Sequence, residues 1–136
     1  MIKLIIGKKG SGKTKTLIDL VNTSISTSNG AVVCIEKGDK LKFDVKYQCR
    51  LIDTEEYHID DGQSLFGFIA GILASNHDVT DIYVDSALKI CKNDSKSFDM
   101  LLDELHELLV RHDVNCVMTS SIDPTVASKT VLKYIG

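Results

Sequence analysis

The residues with the clearest chemical potential lie near the amino terminus, where residues 7–14 fit the pattern G-x-x-x-x-G-K-[ST]. Glycines in such a loop let backbone N–H groups turn toward one point, and the helix that follows directs the positive end of its dipole there. The lysine reaches the β- and γ-phosphates of a nucleotide, and the final hydroxyl can bind Mg²⁺. We therefore expect a phosphate-binding segment, with further lysines adding positive potential. Its residues are Gly7, Lys8, Lys9, Gly10, Ser11, Gly12, Lys13, Thr14 and Lys15.

A second candidate for this chemistry is Asp85, which follows the apolar run Ile82-Tyr83-Val84. An aspartate at the end of such a strand holds Mg²⁺ in many proteins that carry the glycine-rich loop. We therefore expect Thr14 and Asp85 to hold a magnesium ion together. Asp81 precedes the same apolar run, but ligands of parallel sheets bind at the carboxyl ends of the strands, which favours Asp85.

The elements that must position these residues alternate along the chain. Short apolar runs typical of strands buried on both faces occupy residues 2–6, 31–35, 81–85 and 116–118. Between them, helical periodicity covers residues 13–25, 65–74 and 98–109. This alternation predicts an α/β fold in which a parallel β-sheet carries helices on both faces.

Two segments are less regular. Residues 41–51 alternate apolar and polar side chains, which predicts one or two edge strands with a wet face that carries Lys42, Lys46 and Arg50. We interpret that basic row as a solvated edge in preference to a binding surface. Near the carboxyl terminus, Asp123-Pro124 predicts a helix start, and the last dozen residues form either a helix or a helix followed by a strand over 131–135.

Taken together, residues 1–121 resemble P-loop NTPases of the RecA-like branch. The glycine-rich loop matches their Walker A motif, and the strand that ends at Asp85 matches their Walker B motif. That branch often continues with serine and then a hydrophobic residue, as Ser86-Ala87-Leu88 does here. The resemblance implies a three-layer sandwich that binds ATP and Mg²⁺. The guanine-specific pattern N-K-x-D is absent, which favours ATP over GTP.

The same resemblance implies three catalytic residues. Lys13 would act on the phosphates, in catalysis as well as in binding. RecA-type proteins place a catalytic glutamate at the end of the strand after the P-loop helix, so Glu36 would position the attacking water. They also carry a polar sensor after a later strand, for which Ser120 is the candidate and Thr119 the alternative. The competing interpretations are a solvated strand end at Glu36 and simple turn chemistry at Thr119–Ser121.

The resemblance is incomplete in several respects. No glutamate adjoins Asp85, and the extra strands and DNA-binding loops of RecA are missing. The run Gly10–Thr14 is also similar to pilus-retraction (twitching-motility) ATPases, whose acidic and histidine-rich boxes are not evident here. We expect a minimal ATPase, a nucleoside-triphosphate hydrolase that turns over slowly by itself and is stimulated by self-association or a protein partner.

Two other functions stay open. One is a nucleotide-gated binding module without meaningful turnover. The other is a small nucleoside or nucleotide kinase, which is disfavoured because kinases clamp the migrating phosphate with several arginines. This chain has only Arg50 and Arg111. An arginine finger from another subunit or partner is therefore the simpler expectation.

Composition sets the remaining limits. A chain of 136 residues with 43% hydrophobic residues predicts a single domain over 1–136. The net charge of −3 does not indicate nucleic-acid binding. The cysteines and histidines match no metal-binding spacing. The opening apolar run is too short for a signal peptide, and no stretch approaches the roughly 20 apolar residues of a membrane span. We therefore expect a cytoplasmic protein.

Overall fold

A computed structural model describes the whole chain, Met1–Gly136. Its centre is an all-parallel sheet of five strands, flanked by helices, and this confirms the predicted α/β architecture. The strands are β1 (Ile2–Gly7), β2 (Ala31–Glu36), β3 (Arg50–Asp53), β4 (Val79–Val84) and β5 (Asn115–Ser121). The helices are α1 (Lys13–Thr27), α2 (Gly62–Ser75), α3 (Ala87–Ile90), α4 (Ser95–His112) and α5 (Lys129–Tyr134).

The strand order is β1-β5-β4-β2-β3, so β5 separates β1 from β4. In register, Gly7 of β1 lies beside Ser121 of β5, and Val84 of β4 lies beside Met118. Because all strands run in the same direction, their carboxyl ends share one edge. The glycine-rich loop and Asp85 follow strands at this edge, and Glu36 is the last residue of β2.

Hydrophobic side chains fill both faces of the sheet. The larger core, on the face covered by α2 and α4, contains 24 buried residues. The smaller core, on the face covered by α1, contains eight. In α4 the buried positions recur at helical spacing, because only one face of that helix meets the core. These positions are Phe98, Leu101, Leu102, Leu105 and Leu109.

The expectation of edge strands throughout residues 41–51 is wrong. Only Arg50–Asp53 is a strand, and residues 41–49, here called the turn segment, form two successive turns. The N–H groups of Asp44 and Val45 both donate to the carbonyl of Leu41, and the N–H of Cys49 donates to the carbonyl of Lys46. Buried residues in this segment therefore recur every four positions, not every two. Leu41, Val45 and Cys49 face the core beside α1.

The carboxyl terminus resolves the alternatives that its sequence leaves open. Pro124–Val126 is a short 3₁₀ turn, and the side chain of Asp123 accepts the N–H of Thr125 at its start. Helix α5 then covers residues 129–134, and Ile135 alone pairs with Leu4 of β1. The predicted helix is thus confirmed. In place of the alternative strand over 131–135, only the single β-bridge of Ile135 is present. No helix combines the length and apolar character that crossing a bilayer requires.

Replacing Leu105 with alanine tests the larger core. Leu105→Ala removes a fully buried side chain, and we expect the free energy of unfolding to fall by about 2–5 kcal/mol. Met100→Ala, on the exposed face of the same helix, should change it by less than about 0.5 kcal/mol. Urea unfolding followed by circular dichroism measures both, and equal losses would contradict this assignment of the two faces.

Candidate functional site

A cleft of about 680 Å³ opens at the carboxyl edge of the sheet, within the range of roughly 300–1,000 Å³ typical of small-molecule sites. Its lining is polar and includes only two hydrophobic side chains, Leu41 and Leu88. Asp85 is its one carboxylate. Five lysines line it: Lys9, Lys13, Lys15, Lys40 and Lys89. In a chain whose net charge is negative, this concentration of cations favours an anionic ligand.

The glycine-rich loop leaves several of its N–H groups without an acceptor at the edge of the cleft. Gly10 and Gly12 have φ angles of 84° and 88°, in the left-handed region that residues other than glycine rarely adopt. The N–H of Ser11 donates to the carbonyl of Lys8 at 3.1 Å and closes the turn. The N–H groups of Gly10, Gly12, Lys13 and Thr14 have no acceptor within the protein. They are therefore available to an external acceptor.

The amino terminus of α1 differs from those of the other two long helices. Asp61 caps α2 in a reciprocal capping box, and Asp94 caps α4. Helix α1 has Gly12 at this position, with no side-chain cap and no acidic residue in its first turn. The first turn instead contains Lys13 and Lys15, which add charge to an already positive dipole end. Asp85 is the one carboxylate against the five lysines of the cleft, so a bound anion would further stabilise this end of the helix.

The Lys13 ammonium folds back onto the loop. It donates to the carbonyls of Gly7 at 3.1 Å and Lys8 at 2.9 Å, and to the Ser11 hydroxyl at 3.3 Å. Neutral acceptors surround the charge, and no carboxylate pairs with it. An anion in the cleft would offer the ammonium a stronger, charge-assisted partner.

Thr14 and Asp85, the two residues predicted to hold a metal ion, lie in direct contact. The Thr14 hydroxyl donates to Asp85 Oδ1 at 3.1 Å. Buried Thr119, at the end of β5, donates to the same oxygen at 2.7 Å and accepts the N–H of Ser86 at 2.8 Å. Thr119 therefore fixes the orientation of the carboxylate from the strand that separates β1 and β4.

The oxygen atoms of Thr14 and Asp85 suit a hard cation such as Mg²⁺, which binds few protein ligands and completes its octahedron with phosphates and water. No group of three or more His, Cys, Asp or Glu side chains is gathered elsewhere in the protein. The donor set therefore fits a metal that arrives with a phosphate ligand. It does not fit an all-protein cage.

Glu36 lies at the correct end of β2 but does not line the cleft. Only 3% of its surface is exposed. Its two carboxylate oxygens accept the N–H groups of Lys40 and Leu41, each at 3.1 Å. Burial raises the pKa of the carboxyl, and these two hydrogen bonds oppose that shift. In this arrangement Glu36 holds Lys40 and Leu41 at the wall of the cleft.

Ser120 is also absent from the lining of the cleft. It is buried, its hydroxyl donates to the carbonyl of Thr119 at 2.7 Å, and it accepts the N–H of Leu88 at 3.2 Å. The alternative sensor, Thr119, is the one that lines the cleft and contacts Asp85. Successive residues of a strand point to opposite faces, and β5 presents Thr119 on the side of the cleft.

Sequence reasoning missed two lysines of the cleft, Lys40 and Lys89. Lys40 follows β2 and Lys89 lies in α3, directly after β4. Their position after the carboxyl ends of central strands was a usable signal, because the connections at that edge surround the ligand in parallel sheets.

Comparison of the chain with protein-family models and with curated proteins gives no match. The interpretation of the cleft therefore depends on its own geometry and on the sequence motifs.

The protonation of Glu36 can be tested directly. Because its folded-state pKa is raised, the folded protein holds this proton more tightly than the unfolded chain. The contribution of Glu36 to the free energy of unfolding is therefore greatest below the unfolded pKa and declines as the pH rises through the folded pKa. A ¹³C NMR titration of the carboxyl carbon should give a pKa above 4.5, and Glu36→Gln should remove this part of the pH dependence in urea unfolding. A pKa below 4.5 would show that the two N–H bonds outweigh burial.

Proposed function

We propose that this protein binds ATP together with Mg²⁺ in the cleft and hydrolyses it slowly. The observation that carries the proposal is the amino terminus of α1. It is uncapped, rich in lysine and supplied with unpaired N–H groups, and it lies within one helical turn of the contact between Thr14 and Asp85. The loop pattern itself is the one that binds the β- and γ-phosphates of nucleotides.

The residues of the chain divide the work of binding. The N–H groups of Gly10, Gly12 and Lys13 donate to phosphate oxygens, and the Lys13 ammonium exchanges its carbonyl partners for them. Thr14 and Asp85 hold the metal, which neutralises charge on the phosphates when bound. ATP is proposed over GTP because the guanine-specific motif is missing. The resemblance to RecA-like P-loop NTPases agrees with this assignment.

Slow turnover follows from what surrounds the cleft. Both oxygens of the Glu36 carboxylate are already bonded to backbone N–H groups, so this residue must leave them before it can orient a water molecule. Neither Arg50 nor Arg111 lines the cleft. An arginine that stabilises the transferred phosphate raises rates by about 10³–10⁵-fold. Rapid hydrolysis therefore requires a rearrangement or an arginine from a second copy or a protein partner.

A nucleotide-gated binding module is the second candidate, and the engaged Glu36 carboxylate favours it. A kinase is disfavoured because no arginine lines the cleft. Phosphate release at saturating MgATP separates these functions. We expect slow release that Lys13→Ala abolishes. Tight ATP binding by the wild type, with no release above that of Lys13→Ala, would identify a binding module. Transfer of γ-phosphate to a nucleoside or nucleotide would identify a kinase.

Removing the Lys13 ammonium should weaken ATP binding. Hydrogen bonds to charged groups contribute about 1.5–3 kcal/mol, so we expect Lys13→Ala to raise the dissociation constant of MgATP at least about tenfold in isothermal titration calorimetry. Lys129→Ala is the matched control, because Lys129 is exposed and lies outside the cleft. Equal affinities in wild type and Lys13→Ala would refute the phosphate-binding assignment.

Substituting Asp85, which follows β4, and Asp81, which lies within β4, tests the metal assignment. Wild type should bind ATP more tightly with Mg²⁺ than with EDTA. Asp85→Asn should lose most of this difference, since it removes the negative charge that faces the metal. Asp81→Asn changes an aspartate in the amino-terminal half of β4, outside the cleft, and should retain the difference. Retention of the full magnesium effect in Asp85→Asn would be incompatible with a metal site there.

A further inference from the structure

The turn segment presents two aromatic rings to solvent. Phe43 is 88% exposed and Tyr47 is 91% exposed. Each lies at the outer side of one of the two turns, while the aliphatic and cysteine side chains of the segment, Leu41, Val45 and Cys49, face the core. Neither ring packs against another aromatic side chain. The period-two pattern put both rings on the face opposite the basic row, whereas the folded chain exposes the rings and the cations together.

The turn segment is held firmly, so this exposure is built into the fold. The Asn22 side chain of α1 donates to the carbonyl of Asp44 at 2.9 Å and accepts the N–H of Lys46 at 2.9 Å. These two bonds clamp the junction between the turns. Leu41, Val45 and Cys49 anchor the same segment from below. A surface fixed in this way loses little conformational entropy when it binds a partner.

Cations alternate with the rings. Lys42, Lys46 and Arg50 are exposed, and the Lys42 ammonium lies 5.1 Å from the centre of the Phe43 ring. Two aspartates lower the net positive charge of this surface. Asp39 pairs with Lys42 at 3.4 Å, and Asp44 is exposed. Beside Tyr47, a shallow depression of about 460 Å³ is lined by four polar side chains, Lys42, Lys46, Gln48 and Arg50, and by three apolar residues.

We propose that the turn segment binds single-stranded nucleic acid. Unpaired bases stack on Phe43 and Tyr47, and the cations beside the rings, Lys42, Lys46 and Arg50, contact the phosphates. Sequence-independent binding of single strands requires these two components together, a charged track and exposed aromatic faces. The net charge of −3 does not oppose this, because the cations are concentrated locally.

The composition of the surface favours this partner over two others. Lysine is depleted in protein–protein interfaces, whereas Lys42 and Lys46 flank the rings here. Insertion into a lipid surface uses a continuous apolar face. The aliphatic residues of the turn segment face inward, so the two rings stand alone among polar side chains.

Fluorescence anisotropy with labelled dT20 and U20 tests the proposal. Stacking contributes about 1–3 kcal/mol per base, so the double variant Phe43→Ser, Tyr47→Ser should bind at least about 25-fold more weakly than wild type. Val126→Ser, which changes an exposed apolar residue outside the turn segment, should bind normally. Lys46→Ala should reduce the slope of log affinity against log salt by about 0.7, and Lys129→Ala should not.

Because both rings are exposed, we expect the double variant to fold, and circular dichroism together with unchanged affinity for MgATP verifies this. Absence of binding to dT20 and U20 at low salt would overturn the proposal, as would equal affinity in the double variant. Loss of self-association in light scattering, or of binding to phosphatidylserine vesicles, without any effect on dT20 or U20 would assign the surface to a second copy or a membrane instead. Failure here leaves ATP binding unaffected, since no ring lines the cleft.

Discussion

The site depends on one electrostatic constraint: the amino terminus of α1 is positive, and the single carboxylate of the cleft, Asp85, does not balance the five lysines around it. Left-handed Gly10 and Gly12 keep the loop open, and the N–H groups that follow lack acceptors. Lys13 and Lys15 add charge where α2 and α4 place an aspartate. Carbonyl dipoles satisfy the Lys13 ammonium only in part. An anion is the one species that relieves the N–H groups, the dipole and the lysines together.

The sheet order turns this local feature into a site for two charges of opposite sign. Because β5 lies between β1 and β4, its carboxyl end supplies Thr119 at the point where Asp85 faces Thr14. Thr119 fixes the carboxylate beside the positive helix end through Oδ1 and makes no bond to Oδ2, the oxygen on which a cation would bind. Helix α1 links this site to a second surface, since its Asn22 clamps the turn segment. One helix thus positions both the cleft and the exposed rings.

Local patterns predicted the sheet, the long helices, the loop and Asp85, because each depends on periodicity or on the rule that carboxyl ends of parallel strands share an edge. What these patterns did not predict depended on tertiary packing. The alternation in residues 41–51 predicted an extended strand, but the segment forms turns. Every fourth residue packs into the core beside α1. Ser120 and Thr119 are equally polar, and the sequence does not show which of them points into the cleft. That depends on which face of β5 lies toward the cleft. The Glu36 carboxylate turns toward Lys40 and Leu41, which no pattern at the strand end encodes.

The central claim is that the loop N–H groups bind a phosphate chain, and ¹H–¹⁵N NMR measures those groups one by one. On titration with MgATP, and separately with inorganic triphosphate, the amide signals of Gly10, Gly12, Lys13 and Thr14 should show the largest shifts, because hydrogen bonding to an oxyanion deshields the amide proton. Saturable shifts at these residues with both ligands are the predicted result. Signals of the loop that stay in place while others move, or no shifts at millimolar ligand, would contradict the account.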